Sequence, residues 1–275
     1  MRVCENALIG TWRIIADMKF NIVLIGHGAW GQRYASTLLN FDNVSLTIAN
    51  RDNWRKLIDQ KPDGVIVCTP PSSHIEIAEY SLSRNIATMI EKPLLLSLEE
   101  CIKLKQYTSP ILVNHTHLFA KDYQKVKAKT ISDNIKYIET IGIGNTKERD
   151  YSELWDYGPH DIAMILDLAQ QMPKSIECRE LYLRCFEIVM QFDKFETWSM
   201  VGFANNKDRF LMVSDGINMF NYSGTYHTND KPLTNALNVF IDAIRGMQDY
   251  RLGLDLSLKV MEVLEQCQKS LIFQA

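Results

Sequence analysis

The sequence predicts an α/β protein in two parts, and two observations support this prediction. Between Asn21 and Asn114, short apolar segments alternate with amphipathic segments, which is typical of a parallel sheet wound with helices on both faces. After about residue 120, strand-like segments follow one another directly and are joined by polar turns. The second part is therefore expected to be an α+β domain with an open, largely antiparallel sheet.

The first part is predicted to contain strands and helices in strict alternation. Runs such as NIVLI and GVIVC are apolar throughout, as expected for strands that are buried on both faces. The predicted strands are Asn21–Ile25, Val44–Ala49, Gly64–Thr69, Ala87–Ile90 and Ile111–Asn114. The predicted helices are Trp30–Asn40, Trp54–Gln60, His74–Arg84 and Ser97–Tyr107.

The second part is predicted to begin and end with helices. A helix is expected at Lys121–Ile131, and another from Pro159 to about Gln171. Strand-like segments follow at Ser175–Asp193, Glu196–Asn205, Arg209–Val213 and Ile217–Tyr222. The closing helices are Leu233–Met247 and Leu254–Lys269, which we expect to pack back on the molecule.

Composition excludes several classes of function. The chain has 275 residues, 30 Lys plus Arg against 33 Asp plus Glu, and a net charge of -3, so no strong field would attract nucleic acid or anionic lipid. No apolar run approaches the roughly 20 residues that a membrane span needs. The six cysteines include no C-x-x-C pair, which argues against a zinc module or a disulfide framework. A soluble, cytoplasmic protein without a metal site is expected.

Residues 1–17 do not fit this pattern. Charged residues such as Arg13 and Asp17 interrupt the apolar ones too often for the core of a signal peptide. Two interpretations remain open, an N-terminal extension and a short helix that packs on the domain. We therefore predict an extension at 1–17, a dinucleotide-binding domain at 18–120 and a substrate and oligomerisation domain at 121–275.

A glycine-rich turn follows the first strand. Gly26, Gly28 and Gly31 match G-x-G-x-x-G between a buried strand and a helix, the context that the Rossmann motif requires. In this motif the first glycine allows the turn, the second admits a pyrophosphate, and the third permits close helix packing. Ala29 and Trp30 lie within the motif and are included in the predicted cofactor site.

The end of the second strand bears on the choice of cofactor. An Asp or Glu at this position usually binds the ribose hydroxyls of NAD, but here the sequence is Asn50-Arg51-Asp52. A neutral Asn followed by Arg suits the extra phosphate of NADP, because guanidinium binds phosphate with two parallel hydrogen bonds. NADP is therefore preferred, and Asp52 keeps NAD possible.

Two further strand ends reach the same edge of the sheet, where such folds bind ligands. The third strand ends in Thr69, Pro70 and Pro71, followed by His74, which predict a rigid strand-to-helix turn that can also serve as a wall for the nicotinamide ribose. The fourth delivers Glu91 and Lys92 before Pro93. A Lys in this position could bind a substrate hydroxyl and stabilise developing negative charge.

The order of these motifs resembles that of a known family. GHGAWG, TPPSSHIEIA, EKPL, WDYGPHDIAMIL and KPLTNALNVFIDAI look like the corresponding segments of the Gfo/Idh/MocA family, named after glucose-fructose oxidoreductase, inositol dehydrogenase and a rhizopine-catabolism protein. The resemblance extends from Met18 to the C-terminus. The part after residue 120 is short beside the second domain of a typical member.

This resemblance implies a Rossmann domain joined to an α/β domain whose open sheet often mediates oligomer contacts. It implies NAD(P)-dependent chemistry on sugars, nucleotide sugars or cyclitols, with the catalytic lysine at Lys92 and the Asp-x-x-x-His pair at Asp156 and His160. WDYGPHD most resembles members that act on nucleotide sugars.

The residues around His160 support its role independently. Pro159 suits the first turn of a helix, so His160 is expected at a helix start, where the helix dipole would keep the imidazole neutral and able to accept a proton. Asp156 could orient this ring or bind a hydroxyl, and Asp161 is expected to complement the dipole. A structural histidine remains the alternative.

Other side chains are weaker candidates. His115 and His117 follow the fifth strand and could contact substrate or cap the junction of the domains, while metal binding by this pair is disfavoured because no acidic or Cys partner is near in sequence. Five aromatic residues could stack on a sugar ring, although core packing is the commoner fate of such side chains. They are Tyr151, Trp155, Tyr157, Trp198 and Tyr226.

The leading hypothesis is an NAD(P)-dependent oxidoreductase that transfers hydride between nicotinamide and a secondary alcohol or ketone of a sugar-like small molecule. A homo-oligomer formed through the C-terminal sheet is expected. Two alternatives stay open, a non-catalytic dinucleotide-binding sensor or assembly protein, and a reductase for a non-sugar carbonyl or imine.

Overall fold

A computed structural model describes residues 19–147, 149–224 and 230–272. The predicted extension at 1–17 and Tyr226 lie outside the described residues. The described chain forms two sheets, one of five strands and one of six. The predicted fold class is confirmed, since the first sheet is entirely parallel and the second is mostly antiparallel.

The first sheet has the strand order β2-β1-β3-β4-β5, with every pair parallel. Because β1 is flanked by β2 and β3, the strand order reverses at β1, and ligands bind at such a point in open α/β sheets. Strands β3, β4 and β5 are buried along their whole length. The strands are β1 (Phe20–Ile25), β2 (Val44–Ala49), β3 (Gly64–Val67), β4 (Ala87–Glu91) and β5 (Ile111–Asn114).

Helices connect these strands close to the positions that the sequence predicts. The helices are α1 (Ala29–Leu38), α2 (Trp54–Asp59), α3 (His74–Leu82) and α4 (Leu98–Ile102). The predicted helix Ser97–Tyr107 is divided, because a 3-10 turn (Lys103–Gln106) follows α4. A 3-10 turn at Thr116–Phe119 and helix α5 (Lys121–Lys129) lead to the second sheet.

The second sheet has the strand order β11-β10-β6-β9-β8-β7. Only the central pair β6 and β9 is parallel. The strands are β6 (Tyr137–Gly144), β7 (Ser175–Tyr182), β8 (Cys185–Gln191), β9 (Glu196–Phe203), β10 (Asp208–Ser214) and β11 (Met219–Ser223). The predicted segment Ser175–Asp193 is a hairpin rather than one strand, with Arg184 in the left-handed region at φ 64° in its turn.

A central helix, α6 (Glu153–Ala169), packs on β6 and β9 and is buried over its whole length. The prediction that this helix begins near Pro159 is wrong. The helix begins at Glu153, after Ser152 in the N-cap position, and Pro159 lies inside it. Ser at an N-cap followed by acidic residues favours a helix start, so Ser152, Glu153 and Asp156 carried a signal that the proline obscured.

The last two helices are α7 (Pro232–Ile244) and α8 (Asp255–Ile272). Helix α7 returns to the first sheet, where Phe240 and Ile244 approach Gly64 of β3. Helix α8 packs against α6 and β7. In the described part of the chain, no helix is both long enough and apolar enough to cross a membrane.

Candidate functional site

A cavity of about 1080 Å³ lies at the carboxyl ends of the first-sheet strands. Most of the predicted cofactor residues line it: Gly26, Gly28, Ala29, Trp30, Asn50, Arg51, Thr69, Pro70, Pro71, Glu91 and Lys92. Arg149, Asp150 and Tyr151, which precede α6, line its other side. The cavity therefore lies between the first sheet and the segment that leads into α6.

The glycine turn has the geometry that its sequence predicts. Gly26 has φ +96°, and a Cβ there would lie 2.6 Å from the carbonyl oxygen of Cys68. A Cβ on Gly31 would lie 2.0 Å from the carbonyl oxygen of Gly26, so a side chain at this position would push α1 away from the glycine turn. At Gly28 a Cβ would meet no atom within 4 Å. The turn is therefore closely packed on its inner side and open at its centre.

Asn50 and Arg51, which follow β2, have different roles. The Asn50 Oδ1 accepts hydrogen bonds from the backbone N–H groups of Asp52 and Asn53, at 2.9 and 3.0 Å, and so folds the connection to α2. Arg51 is exposed and lines the cavity. Within residues 19–147, 149–224 and 230–272, Arg51 has no ion-pair partner. Its guanidinium is therefore available to a ligand.

His74 does not line the cavity. Its ring is buried, with Nε2 2.8 Å from the carbonyl oxygen of Thr69 and Nδ1 3.1 Å from that of Leu94. Burial lowers the pKa of His74, and these carbonyl groups oppose that shift. The ring thus ties the turn after β3 to the loop after β4, behind the cavity wall.

Lys92 joins the first sheet to α6. Its Nζ donates hydrogen bonds to the main-chain carbonyl oxygen and to Oδ1 of Asp156, each at 2.7 Å. The second carboxylate oxygen, Oδ2, lies 3.2 Å from Nε of Arg149. Burial opposes ionisation of Asp156, but Lys92 and Arg149 outweigh it and hold the pKa of this carboxyl below its usual range. Asp156 is therefore a buried carboxylate that bridges two cationic side chains, Lys92 and Arg149.

His160 lies one helical turn beyond Asp156, on the same face of α6. The expectation that it sits at a helix start is wrong, because seven residues of the helix precede it. Burial, and then the nearby charge of Lys92, hold the pKa of His160 well below its ordinary value. The ring is neutral as expected, but burial and Lys92 are the cause rather than the helix dipole. Neither Asp156 nor His160 lines the cavity, but Asp156 is hydrogen-bonded to Lys92, which does.

The two histidines after β5 point to different partners. His115 Nε2 lies 3.1 Å from Oγ of Ser257, and burial together with Lys92 lowers the pKa of His115 to about 4. His117 Nδ1 lies 2.6 Å from the hydroxyl of Tyr222, and its ring packs edge-on against His160 at 4.8 Å. In the described part of the chain, no three His, Cys, Asp or Glu side chains are grouped to hold a metal ion.

Asp161 does not complement the helix dipole, so this expectation is wrong. It is completely buried and forms an ion pair with Arg209 of β10, which is also buried. Burial raises the pKa of Asp161 and Arg209 opposes that rise. No local pattern in the sequence indicates this pair, since 48 residues separate its members.

Sequence reasoning also missed residues that line the cavity. Arg149 and Asp150 stand before a helix whose start was misplaced, and Trp54 and Glu76 lie on α2 and α3. Of the aromatic candidates within the described residues, Tyr151 alone lines the cavity. Trp155 and Tyr157 are buried in α6, and Trp198 donates to Glu187 on the second sheet.

Residues 43–109 match the model of the Gfo/Idh/MocA family, described as an oxidoreductase family with an NAD-binding Rossmann fold. The resemblance to the Gfo/Idh/MocA oxidoreductases is confirmed. A comparison with curated proteins finds no match. The Gfo/Idh/MocA match covers strands β2 to β4 and includes Arg51, Glu91 and Lys92.

Solved structures share the whole fold. Scyllo-inositol dehydrogenase from Lactobacillus casei, with NAD(H) and scyllo-inositol bound, superposes with a TM-score of 0.83 at 14% identity, covering 93% of this chain and 98% of that one. UDP-N-acetylglucosamine 3-dehydrogenase from Acidithiobacillus ferrooxidans gives 0.78 at 15% identity, covering 92% and 98%. Myo-inositol 2-dehydrogenase from Lactobacillus plantarum gives 0.82 at 17% identity, covering 93% and 98%. The two-sheet architecture is thus the one found in these Gfo/Idh/MocA-like dehydrogenases.

Proposed function

We propose that this protein transfers hydride between a nicotinamide dinucleotide and a secondary alcohol or ketone of a sugar, nucleotide sugar or cyclitol. The observation that carries the proposal is the meeting of Lys92 with Asp156, which joins the dinucleotide-type cavity to the helix that bears His160. In this proposal, residues 18–120 bind the cofactor, and residues 121–275 bind substrate and mediate oligomer contacts.

The cavity fits a dinucleotide. The open space at Gly28 and the close packing at Gly26 and Gly31 suit the approach of a pyrophosphate to the start of α1. Arg51 supports NADP over NAD, because its exposed guanidinium lines the cavity and pairs with no carboxylate of the described residues. When bound, the nicotinamide supplies the acceptor or donor of hydride.

The chain's own residues would manage the proton. Two of the three Lys92 N–H groups are held by Asp156, which leaves the third for a substrate oxygen. There the ammonium would stabilise the negative charge that develops on an alcohol oxygen as its proton leaves. The neutral imidazole of His160 would accept that proton, and Asp156 would fix the position of Lys92.

A substrate panel tests the proposal. The purified protein is mixed with NADP or NAD and with sugars, nucleotide sugars, cyclitols and non-sugar carbonyl compounds, and the absorbance of reduced nicotinamide is followed. Turnover of a sugar-like compound is expected. Tight cofactor binding without turnover of any compound would favour the non-catalytic alternative, and turnover of the non-sugar compounds alone would favour the second alternative. This chain covers 98% of each comparison structure, so little of their fold is missing from it. This near-complete coverage supports the catalytic proposal over the non-catalytic alternative.

We also propose a cytoplasmic homo-oligomer that associates through the second sheet. Phe210, Ile141 and Met200 pair in register across β10, β6 and β9 and are half-buried, which gives the sheet an apolar row. The five cysteines in the described ranges are free thiols, which fits a reducing compartment. Analytical ultracentrifugation of wild type and Phe210→Lys tests the interface, and an unchanged mass would contradict it.

Alanine substitutions at two glycines are expected to affect different properties, ligand binding at Gly28 and stability at Gly31. Gly28→Ala should leave the free energy of unfolding unchanged, because the new methyl meets nothing, but should weaken dinucleotide binding by about tenfold or more. Gly31→Ala should destabilise the fold by about 1–3 kcal/mol through its clash with the Gly26 carbonyl. Chemical denaturation and calorimetric titration measure both quantities. Wild-type affinity in Gly28→Ala would contradict the proposed pyrophosphate position.

Arg51→Ala is expected to weaken NADP binding more than NAD binding. A guanidinium that binds the extra phosphate contributes a charge-assisted hydrogen bond of about 1.5–3 kcal/mol, or about tenfold to 100-fold in Kd. Titration with each cofactor measures the change, and Arg179→Ala, an exposed arginine of the second sheet, is the control. Equal losses for the two cofactors would show that Arg51 does not select NADP.

A further inference from the structure

A closed triangle of hydrogen bonds lies beneath the cavity wall. The Tyr34 hydroxyl of α1 donates to Oε1 of Glu91 at 2.6 Å. The Asn114 amide of β5 donates to the same Oε1 at 2.7 Å and to the Tyr34 oxygen at 2.6 Å. Tyr34 and Asn114 have no exposed surface, and Glu91 is 6% exposed. Three elements of the dinucleotide-type domain thus converge on one carboxyl oxygen.

The directions of these bonds favour the carboxylate form of Glu91. The two amide hydrogens of Asn114 and the hydroxyl hydrogen of Tyr34 account for all three bonds, so Oε1 only accepts. Burial raises the pKa of Glu91, while Tyr34, Asn114 and the adjacent Lys92 counteract that rise by favouring the carboxylate. Burial, and then the nearby Glu91 carboxyl, raise the pKa of the Cys68 thiol, which follows β3. The triangle therefore opposes the rise in the pKa of Glu91 that burial causes.

None of the three bonds of the triangle involves Oε2, and Glu91 itself forms part of the cavity wall. An immobilised carboxylate in a cavity wall is a strong acceptor for hydroxyl groups. Glu91 ends β4, and β1 and β3 separate this strand from β2, which carries Asn50 and Arg51 at its end. Its partner is therefore expected at the end of the dinucleotide that lies away from Arg51.

We propose that Tyr34 and Asn114 are positioning residues that hold the Glu91 carboxylate as the acceptor for ribose hydroxyls on the nicotinamide side of the dinucleotide. This inference rests on the proposed function, because it requires that the cavity binds a dinucleotide. It assigns a role to two buried side chains that do not themselves line the cavity.

The test compares the Kd values of NAD and ADP for one variant, Tyr34→Phe. Tyr34→Phe removes only the hydroxyl, and its Kd for NAD at about pH 6 is expected to rise about tenfold. The Kd for ADP, which lacks the nicotinamide-side ribose, is expected to stay within about twofold of wild type. A general disturbance of the fold would weaken both ligands. Calorimetric titration measures both constants, and no turnover is needed.

The pH dependence of NAD binding gives a second readout. Loss of the Tyr34 hydrogen bond should raise the pKa of Glu91, so NAD affinity should begin to fall at a higher pH in Tyr34→Phe than in wild type. Glu91→Gln removes the titrating group and should bind NAD more weakly with no such pH dependence. This variant also carries the test if Tyr34→Phe proves unstable.

Tyr123→Phe is the matched control. Tyr123 is equally buried and donates to the Asp167 carboxylate at 2.6 Å, away from the cavity, so both Kd values should equal those of wild type. If Tyr34→Phe or Glu91→Gln kept the wild-type Kd for NAD and the wild-type pH dependence, the inference about Glu91 would be overturned, while the proposed function would stand. Failure of the wild-type protein to bind NAD or NADP would instead overturn the proposed function.

Discussion

His160→Ala is expected to lower turnover by about 100-fold or more while leaving the Kd for the cofactor nearly unchanged. The imidazole is buried and neutral one helical turn from Asp156, so its loss removes a proton acceptor without touching the cavity wall. Single-turnover absorbance of reduced nicotinamide, with a substrate found in the panel, measures the effect. A variant within about threefold of wild type would exclude His160 as the base.

The neutrality of His160 also predicts a pH profile. Burial and Lys92 hold the pKa of His160 well below its ordinary value, so the ring remains unprotonated at neutral and mildly acidic pH. Turnover in the direction of alcohol oxidation should therefore show no loss near the ordinary histidine pKa of about 6.5. A loss centred there in wild type that disappears in His160→Ala would contradict this state of the ring.

Lys92→Met is expected to abolish measurable turnover and to destabilise the fold by about 3 kcal/mol, because it leaves the buried Asp156 carboxylate with Arg149 as its remaining cation. The activity should fall because the substrate oxygen loses its hydrogen-bond donor. Denaturant unfolding and steady-state assays measure the two effects.

The stability difference between Lys92→Met and wild type should depend on pH. The pKa of Asp156 is depressed in the folded protein, so its stabilisation is present above the unfolded pKa of about 3.9 and is lost as pH falls through the folded pKa. Removing Lys92 raises the folded pKa of Asp156, so the two proteins should differ most at neutral pH and should converge in acid. A difference in stability that does not depend on pH would show that Lys92 does not stabilise the fold through its ion pair with Asp156.

Lys127→Met provides the matched control for this substitution. Lys127 of α5 forms an ion pair at 2.5 Å with Asp167, which lies on α6 as Asp156 does. Lys127 does not line the cavity. Because Lys127 is 26% exposed, its loss should cost less stability than that of Lys92, and turnover should be retained. Loss of turnover in both variants would indicate a disturbance of α6 rather than a specific role of Lys92.

The strands and the cofactor turn could be predicted from the sequence because their signals are local. The ends of β2 and β5 agree with the predicted ones, and the Gly26 turn follows from residues that are neighbours in the chain. Helix α6 begins earlier than predicted because Pro159 is a strong local signal for a first turn, whereas α6 packs on β6, β9 and α8 through contacts between residues that are distant in the sequence.

The rest of the site depends on contacts between distant residues. The bond from Lys92 to Asp156 spans 64 residues, and that from Tyr34 to Glu91 spans 57. No periodicity within one segment carries information about such pairs. The Arg209 partner of Asp161 and the Tyr222 partner of His117 were missed for the same reason, since each lies on the second sheet. The sequence thus indicated which residues matter more reliably than how they are joined.

A crystal structure with bound NADP is the decisive experiment, because it needs no knowledge of the substrate. We expect density for the pyrophosphate at Gly28, the extra phosphate at Arg51 and the nicotinamide ring beside Lys92. Density that places the dinucleotide outside this cavity, or that turns the nicotinamide away from Lys92, would contradict the account.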